Sequence, residues 1–182
     1  HNNKSNDSET NTLSDKKHKL HYWMYTVFDD TSWMECQQKE IMVLGMDDIG
    51  DYSQYDSKES LRQELISTYD NSTSRKNQAL MAWNFANKLA INDVIFAKRS
   101  NTLVGKGIVT GDYIFDDSRQ EYKNIRTVKW LQIGEWEHPG QAVMKTLTDI
   151  TQYTEYVEKL NAMFDTEDDD DDIDVEEEPR SE

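Results

Sequence analysis

The sequence predicts a mixed α+β domain in which a small curled sheet or open barrel is flanked by helices. Three observations support this fold class. Strand-like and helix-like segments follow one another in the order β-α-β-α-α-β-β-β-α, the later strands are consecutive, and glycines interrupt them where bulges or tight corners would lie. At 182 residues the chain is long enough for one domain with a substantial core and short for two.

The first half of the domain alternates strands and helices. Residues 20–28 are rich in aromatic and β-branched side chains, which is typical of a strand. Residues 31–40 begin with two possible N-cap residues and predict a short helix, and the apolar run 41–46 predicts a buried strand. Residues 57–69 and 76–90 each carry apolar side chains at helical spacing, so both segments predict amphipathic helices.

The second half is mostly strand. Residues 91–99 turn into a strand, and residues 102–115 continue as strands that glycines interrupt. Residues 126–134 alternate between apolar and polar side chains and predict a further strand. Residues 142–164 have apolar side chains at helical spacing, which predicts a closing helix.

The two ends of the chain differ in composition from the domain over residues 20–164. Residues 1–19 contain one apolar side chain and predict a disordered leader that lacks the apolar core of a signal peptide. Residues 165–182 hold twelve acidic residues and one arginine, a charge of −11 out of the total of −16, and predict a disordered acidic tail. Because the sequence starts with His, we expect a piece of a longer protein, with the tail as a linker.

The sequence favours a binding domain over an enzyme. Its four histidines are scattered and its one cysteine, Cys36, has no histidine partner at zinc-site spacing, so neither a metal nor a cofactor is expected. No glycine-rich phosphate loop is present. A single cysteine predicts a reducing, cytoplasmic setting, and no apolar run approaches the roughly 20 residues that span a bilayer.

A polar insert over residues 112–123 carries three aromatic rings among charged side chains. Rings that stack on bases, next to cations that hold phosphates, are typical of nucleic-acid binding. The wider segment 98–129 has seven basic residues against four acidic ones, and its expected phosphate contacts are Lys98, Arg99, Arg119, Lys123 and Arg126. These residues alone leave nucleic-acid binding and a protein-interaction module open as alternatives.

A series of sequence blocks resembles a known family. In order they are YWMYTVF, IMVLGMDDIGDYSQY, WNFANKLAINDVIFAK, LVGKGIVTGDYIFDDSRQEYKNIRTVKWL and GEW. They resemble the EVE domains of the PUA/YTH-like superfamily over residues 20–138, above all those at the N-terminus of McrB-like AAA+ GTPases of modification-dependent restriction systems. The resemblance implies a pseudo-barrel with flanking helices that accepts a modified base, flipped out of the duplex, in an aromatic pocket.

The resemblance also implies partners and alternatives. The partners would be double-stranded DNA carrying a methylated adenine or cytosine, an AAA+ domain downstream in the same chain, and a McrC-like nuclease subunit. An RNA-binding module of the same superfamily is the first alternative. A protein-interaction domain that binds no nucleic acid is the second.

The same resemblance implies which residues would bind the base. Met46 follows Gly45 at a position where the EVE pattern has tryptophan, so a thioether with less stacking area takes the place of an indole. The end of the first strand would offer backbone groups to the base edge, and further rings would come from the insert. The expected base-binding residues are Trp23, Tyr25, Thr26, Asp29, Trp33, Met46, Asp47, Tyr113 and Phe115.

Overall fold

The computed structural model describes residues 19–140 and 145–176, with side chains described as far as residue 165, and it confirms the predicted α+β fold class. The strands are β1 (Tyr22–Thr26), β2 (Ile41–Leu44), β3 (Val94–Arg99), β4 (Thr102–Val109), β5 (Ile114–Phe115), β6 (Asn124–Glu137) and β7 (Leu147–Asp149). The helices are α1 (Asp30–Lys39), α2 (Lys58–Thr68), α3 (Lys76–Trp83) and α4 (Thr154–Glu176). Two 3-10 turns follow β2 (Asp47–Ile49 and Tyr52–Gln54), and a π-helical turn, Asn84–Lys88, continues α3.

The seven strands form one curled sheet in the order β2-β6-β4-β3-β1-β7, with β5 also paired to β6. Among the described strands, only β1 and β3 run parallel to each other. The 14-residue β6 pairs with β2, β4 and β5, and register shifts between β4 and β6 bend the sheet into a half-barrel. Gly107 lies at one of these shifts, where a Cβ atom would stand 2.7 Å from Val128 Cγ1, so only glycine allows this approach.

The core has two parts because helices cover both faces of the sheet. The larger cluster fills the half-barrel beneath α1, α2 and α3 and includes Trp23, Tyr52, Leu61, Leu65 and Phe85, all fully buried. The smaller cluster lies between the other face and α4 and includes Phe96, Leu103, Leu160 and Phe164. None of the described helices is long and apolar enough to cross a membrane.

The predicted closing helix over 142–164 is wrong over residues 145–153, and residues 142–144 lie outside the described part of the chain. Residues 147–149 form β7, which pairs antiparallel with β1, and α4 begins only at Thr154. Leu147 and Ile150 are both buried, and their spacing suits a helix as well as a strand with a turn. The exposed edge of β1 has backbone groups that need partners, which β7 supplies.

The two predicted ends lie largely beyond the described residues. Residues 1–18 of the predicted leader lie outside the described part of the chain, and so do residues 141–144 and 177–182. At its other end, α4 continues to Glu176 and so enters the stretch that composition assigns to the acidic tail.

Candidate functional site

A cavity of about 450 Å³ opens where β1 and β2 end, and we call it the β1/β2 pocket. This volume lies within the roughly 300–1,000 Å³ of small-ligand sites. Six structural segments contribute to it: the end of β1, the end of β2, α1, α3, the loop before β6, and the residue before β7. The lining residues are Tyr25, Thr26, Val27, Phe28, Ser32, Val43, Leu44, Gly45, Met46, Gln78, Met81, Tyr122 and Thr146.

The walls of the β1/β2 pocket are aromatic and thioether groups. Phe28 is 76% exposed, and the centre of its ring lies 6.2 Å from the centre of the Tyr122 ring, with an angle of 53° between the two planes. Met46 and Met81 contribute polarizable sulfur groups. None of the thirteen lining residues carries a charge, so the pocket suits a neutral planar group and opposes an ionised one.

Two wall residues have strained backbones. Met46 has φ 60° and Tyr122 has φ 51°, both in the left-handed region, where a non-glycine residue costs roughly 1–2 kcal/mol. The carboxylate of Asp47 accepts hydrogen bonds from the backbone amides of Tyr122 and Lys123, each at 2.9 Å. Asp47 therefore ties the Tyr122 loop to the wall that Met46 begins. Strained residues of this kind gather at ligand sites.

The floor of the β1/β2 pocket is neutral and tightly bonded. The buried hydroxyl of Tyr25 donates to the carbonyl of Val43 at 2.7 Å and accepts from the Val43 amide at 3.1 Å. Burial raises the pKa of Tyr25 well above its ordinary value, so the hydroxyl stays protonated. This bond joins β1 to β2, which are not neighbours in the sheet, and so fixes the two ends that form the pocket.

Three of the nine predicted base-binding residues, Tyr25, Thr26 and Met46, line the β1/β2 pocket. Two others support it from behind. Asp47 holds the Tyr122 loop, and Asp29 follows Phe28 and caps α1 by accepting from the Ser32 amide at 2.7 Å. The location of these residues is a finding, whereas their part in binding a base stays a prediction.

Both tryptophans predicted as pocket walls are core residues instead. Trp23 is fully buried, and its indole N–H donates to Asp93 at 3.0 Å. Trp33 packs edge-on against Trp130, with ring centroids 4.8 Å apart. Neither lines the β1/β2 pocket, because both rings pack in the core.

Of the three rings in the predicted insert, only Tyr122 reaches the β1/β2 pocket. Tyr113 stacks on Tyr52 at 5.9 Å, and its hydroxyl accepts from the Tyr52 amide at 2.8 Å. Phe115 lies in β5 and pairs with Asn124. Sequence reasoning missed the ring of Phe28. The sequence did contain an indication, because Phe28 is a large aromatic residue between the end of a predicted strand and two aspartates.

Two predicted phosphate contacts, Lys98 and Arg126, are buried and cannot serve that purpose. Lys98 is fully buried, its ammonium donates to the carbonyl of Ser100 at 3.3 Å, and burial lowers its pKa. The guanidinium of Arg126 donates to the backbone carbonyls of Phe85, Leu89 and Gly111. Arg126 therefore joins the π-helical turn to the end of β4, and its exposure is only 2%.

The other three predicted phosphate contacts lie within ion pairs. The pairs are Arg99 with Asp30 and Glu135, Arg119 with Glu35, and Lys123 with Asp117. Arg119 also donates through Nε to the carbonyl of Tyr122 at 2.9 Å, so it supports the pocket loop. Lys145 is exposed beside the pocket residue Thr146 and has no carboxylate partner within the described part of the chain.

The fold and the site together define a small α+β domain with an uncharged, aromatic-walled pocket at the ends of two strands. Residues 23–156 match the family model described as "Domain of unknown function (DUF8426)", and the chain belongs to that family. No curated protein matches the sequence significantly.

Two solved structures resemble the fold at a distance. One is the crystal structure of the Mmi1 YTH domain, with 10% identity, a TM-score of 0.47, and coverage of 82% of this chain and 90% of that one. The other is the YTH domain of the Zygosaccharomyces rouxii MRB1 protein in complex with N6-methyladenosine RNA, with 9% identity, a TM-score of 0.36, and coverage of 65% and 62%.

Proposed function

We propose that this domain reads a modified base in nucleic acid by accepting the base, turned out of its stack, in the β1/β2 pocket. The observation that carries this proposal is the pocket itself: about 450 Å³, without a charged lining residue, between an exposed phenylalanine and two methionines. A methylated heterocycle is flat, neutral and partly apolar, so it matches these walls. Asp47 holds the Met46 and Tyr122 walls together before any ligand arrives.

The energetics of such a reader require more than a methyl contact. Extracting a base costs a few kcal/mol, and stacking on an aromatic ring returns about 1–3 kcal/mol. Burial of one methyl group adds about 0.8 kcal/mol, which by itself gives only a few-fold preference. Stronger selection has to come from the shape of the pocket or from a polar group that the wrong base leaves unpaired.

The finer proposal is that the target is duplex DNA and that the parent protein belongs to a McrBC-like restriction system. The support is the series of sequence blocks that resembles EVE domains over residues 20–138. An AAA+ domain downstream and a McrC-like nuclease would then be the partners. The second candidate target is single-stranded RNA, because Phe28 is exposed enough to stack on a neighbouring base of a flexible strand as well.

The phosphate contacts need reassignment under this proposal. Lys98 and Arg126 are buried, so surface cations near the pocket must provide the contacts instead. Lys145 fits this role, because its carbonyl is bonded to the hydroxyl of Thr26 and its side chain is exposed next to the lining residue Thr146. Its contribution would be nonspecific and would weaken with salt.

The test is a titration of labelled oligonucleotides that carry N6-methyladenine, 5-methylcytosine, 5-hydroxymethylcytosine or no modification, each as DNA duplex and as single-stranded RNA. We expect tighter binding to one modified base. Phe28→Ala should weaken that binding by about 1–3 kcal/mol without affecting the fold, because Phe28 is exposed. Tyr153→Ala, which removes an exposed ring outside the pocket, is the matched control. Equal affinity for the three modified oligonucleotides and the unmodified one, in both polymers, would refute the proposal.

A further inference from the structure

We infer that Gln78 is the residue of the β1/β2 pocket that determines specificity, and that it selects a base with an acceptor nitrogen on its hydrogen-bonding edge. This inference rests on the proposed function of the pocket. It narrows the ligand to modified adenines and cytosines, whose N1 and N3 atoms accept hydrogen bonds. Guanine and thymine carry N–H groups at those positions and are disfavoured.

The orientation of the Gln78 amide follows from its neighbour. Gln78 lies in α3 and lines the pocket, and its Oε1 accepts from Nη1 of Arg75 at 3.0 Å. A guanidinium has donors only, so the amide oxygen must face Arg75 and the amide NH₂ must be at the other end. Within the described residues that NH₂ has no acceptor, which leaves it to bond a ligand.

Arg75 is itself held firmly, so it acts as a positioning residue for Gln78. Its Nη2 donates to Oδ1 of Asp70 at 3.0 Å, and its guanidinium lies 5.5 Å from the centre of the Tyr69 ring. The Arg75 side chain is only 16% exposed. A donor on such a support loses little conformational freedom when a ligand binds, so more of its hydrogen-bond energy goes into discrimination.

The other polar side chains of the pocket are less selective. The hydroxyls of Tyr25 and Thr26 already donate to backbone carbonyls. The remaining hydroxyls, on Ser32, Tyr122 and Thr146, can rotate to donate or to accept and so tolerate either kind of base edge. The NH₂ of Gln78, at the end of the amide away from Arg75, is the lining group that can only donate. A base with N–H at the same place would set two donors against each other and leave both unpaired.

Two substitutions remove the donor in different ways. Gln78→Glu keeps an oxygen for Arg75 but presents only acceptors to the pocket, and Gln78→Met keeps the length of the side chain without any polar group. Asn77→Asp is the matched control, because it adds the same charge at the exposed neighbouring position on α3 and does not line the pocket.

The probes are duplexes with N6-methyladenine or its 1-deaza analogue, and with 5-methylcytosine or its 3-deaza analogue, in which C–H replaces the acceptor nitrogen. The full chain and each variant are titrated with both pairs. The ratio of analogue to parent Kd is then compared between proteins, so that the cost of flipping each base cancels. We expect Gln78→Glu and Gln78→Met to lower this ratio by roughly 3- to 10-fold for the base that the wild type prefers. Asn77→Asp should keep the wild-type ratio.

Two results would overturn the inference about Gln78, and only the second of them would also overturn the proposed function of the pocket. If the wild type prefers a modified base but both Gln78 variants keep its analogue-to-parent ratio, Gln78 is not the selecting donor and the pocket remains a base site. If the wild type does not distinguish modified from unmodified oligonucleotides, the proposed function fails along with the inference.

Discussion

At the scale of single residues, Asp47 is the residue that organises the pocket. It follows Met46, which starts one wall, and is the first residue of the 3-10 turn after β2. Its carboxylate accepts hydrogen bonds from the backbone amides of Tyr122 and Lys123 at the opposite wall. One side chain therefore compensates for two strained neighbours, Met46 and Tyr122. The left-handed Tyr122 is held by this carboxylate together with the Nε–H of Arg119, which donates to its carbonyl.

We predict that Asp47→Ala lowers the free energy of unfolding by about 1–3 kcal/mol, because two partly buried amides lose their acceptor. Asp47→Asn should cost less, since the amide oxygen still accepts one of the two bonds. Urea unfolding followed by tryptophan fluorescence measures both changes. Asp56→Ala, at an exposed position of the following turn, is the control. An Asp47→Ala protein as stable as the wild type would show that the conformation of the Tyr122 loop does not depend on the Asp47 carboxylate.

The residue scale is also where sequence reasoning reached its limit. Met46 could be placed at the pocket because it follows Gly45 at the end of a predicted strand. Trp23 and Trp33 could not be excluded from the pocket, because a pocket ring and a core ring both look like an aromatic residue on an apolar face. The burial of Lys98 was equally hidden, since it depends on a partner at Ser100 that only the turn after β3 brings near.

At the scale of elements, predictions succeeded where local chemistry decides the structure. The helix expected over 57–69 is observed as Lys58–Thr68 because Ser57 and Ser60 form a reciprocal capping box. The failure of the helix prediction over residues 145–153 has the opposite cause. Strand β7 is three residues long and forms because it covers the edge of β1, a long-range contact that no local pattern reports.

Strand β7 is fastened by Asp149. Its carboxylate is hydrogen-bonded to the ring of His21 and forms an ion pair with the ammonium of Lys88, each at 3.0 Å. It also accepts hydrogen bonds from the backbone amide and the hydroxyl of Thr151. Burial raises the pKa of Asp149, but these hydrogen bonds outweigh it and hold the pKa at about 2, below its ordinary 3.8. A depressed folded pKa means that the ionised group stabilises the fold above about pH 4, and that this stabilisation is lost as the pH falls towards about 2.

We therefore predict that the stability advantage of the wild type over Asp149→Asn is largest above about pH 4 and shrinks as the pH falls to about 2. Urea unfolding of both proteins across this range gives the difference directly. Glu137→Gln, which removes an exposed carboxylate from β6, is the control for general acid effects. A difference in the free energy of unfolding between wild type and Asp149→Asn that stays constant down to about pH 2 would contradict the lowered pKa of Asp149.

At the scale of the whole molecule, the net negative charge of the chain opposes the binding of a negatively charged nucleic acid. The chain carries −16, of which −11 lies in residues 165–182. Two of the predicted phosphate-binding cations are buried and three are paired with carboxylates, so these five residues offer little positive surface to offset the tail. Binding to a polyanion must then rely on the pocket more than on attraction to phosphates, and the tail should repel the nucleic acid through space.

We predict that changing the five aspartates of the run 168–172 to asparagine tightens binding of a modified oligonucleotide by about threefold or more at low salt. The gain should be larger at about 0.01 M salt, where the Debye length is about 30 Å, than at about 0.1 M, where it is about 10 Å. Titration of wild type and variant at both concentrations measures it, and urea unfolding checks that the fold is unchanged. If the variant instead binds more weakly, the acidic run contributes to the complex, and the pocket cannot be the main source of affinity.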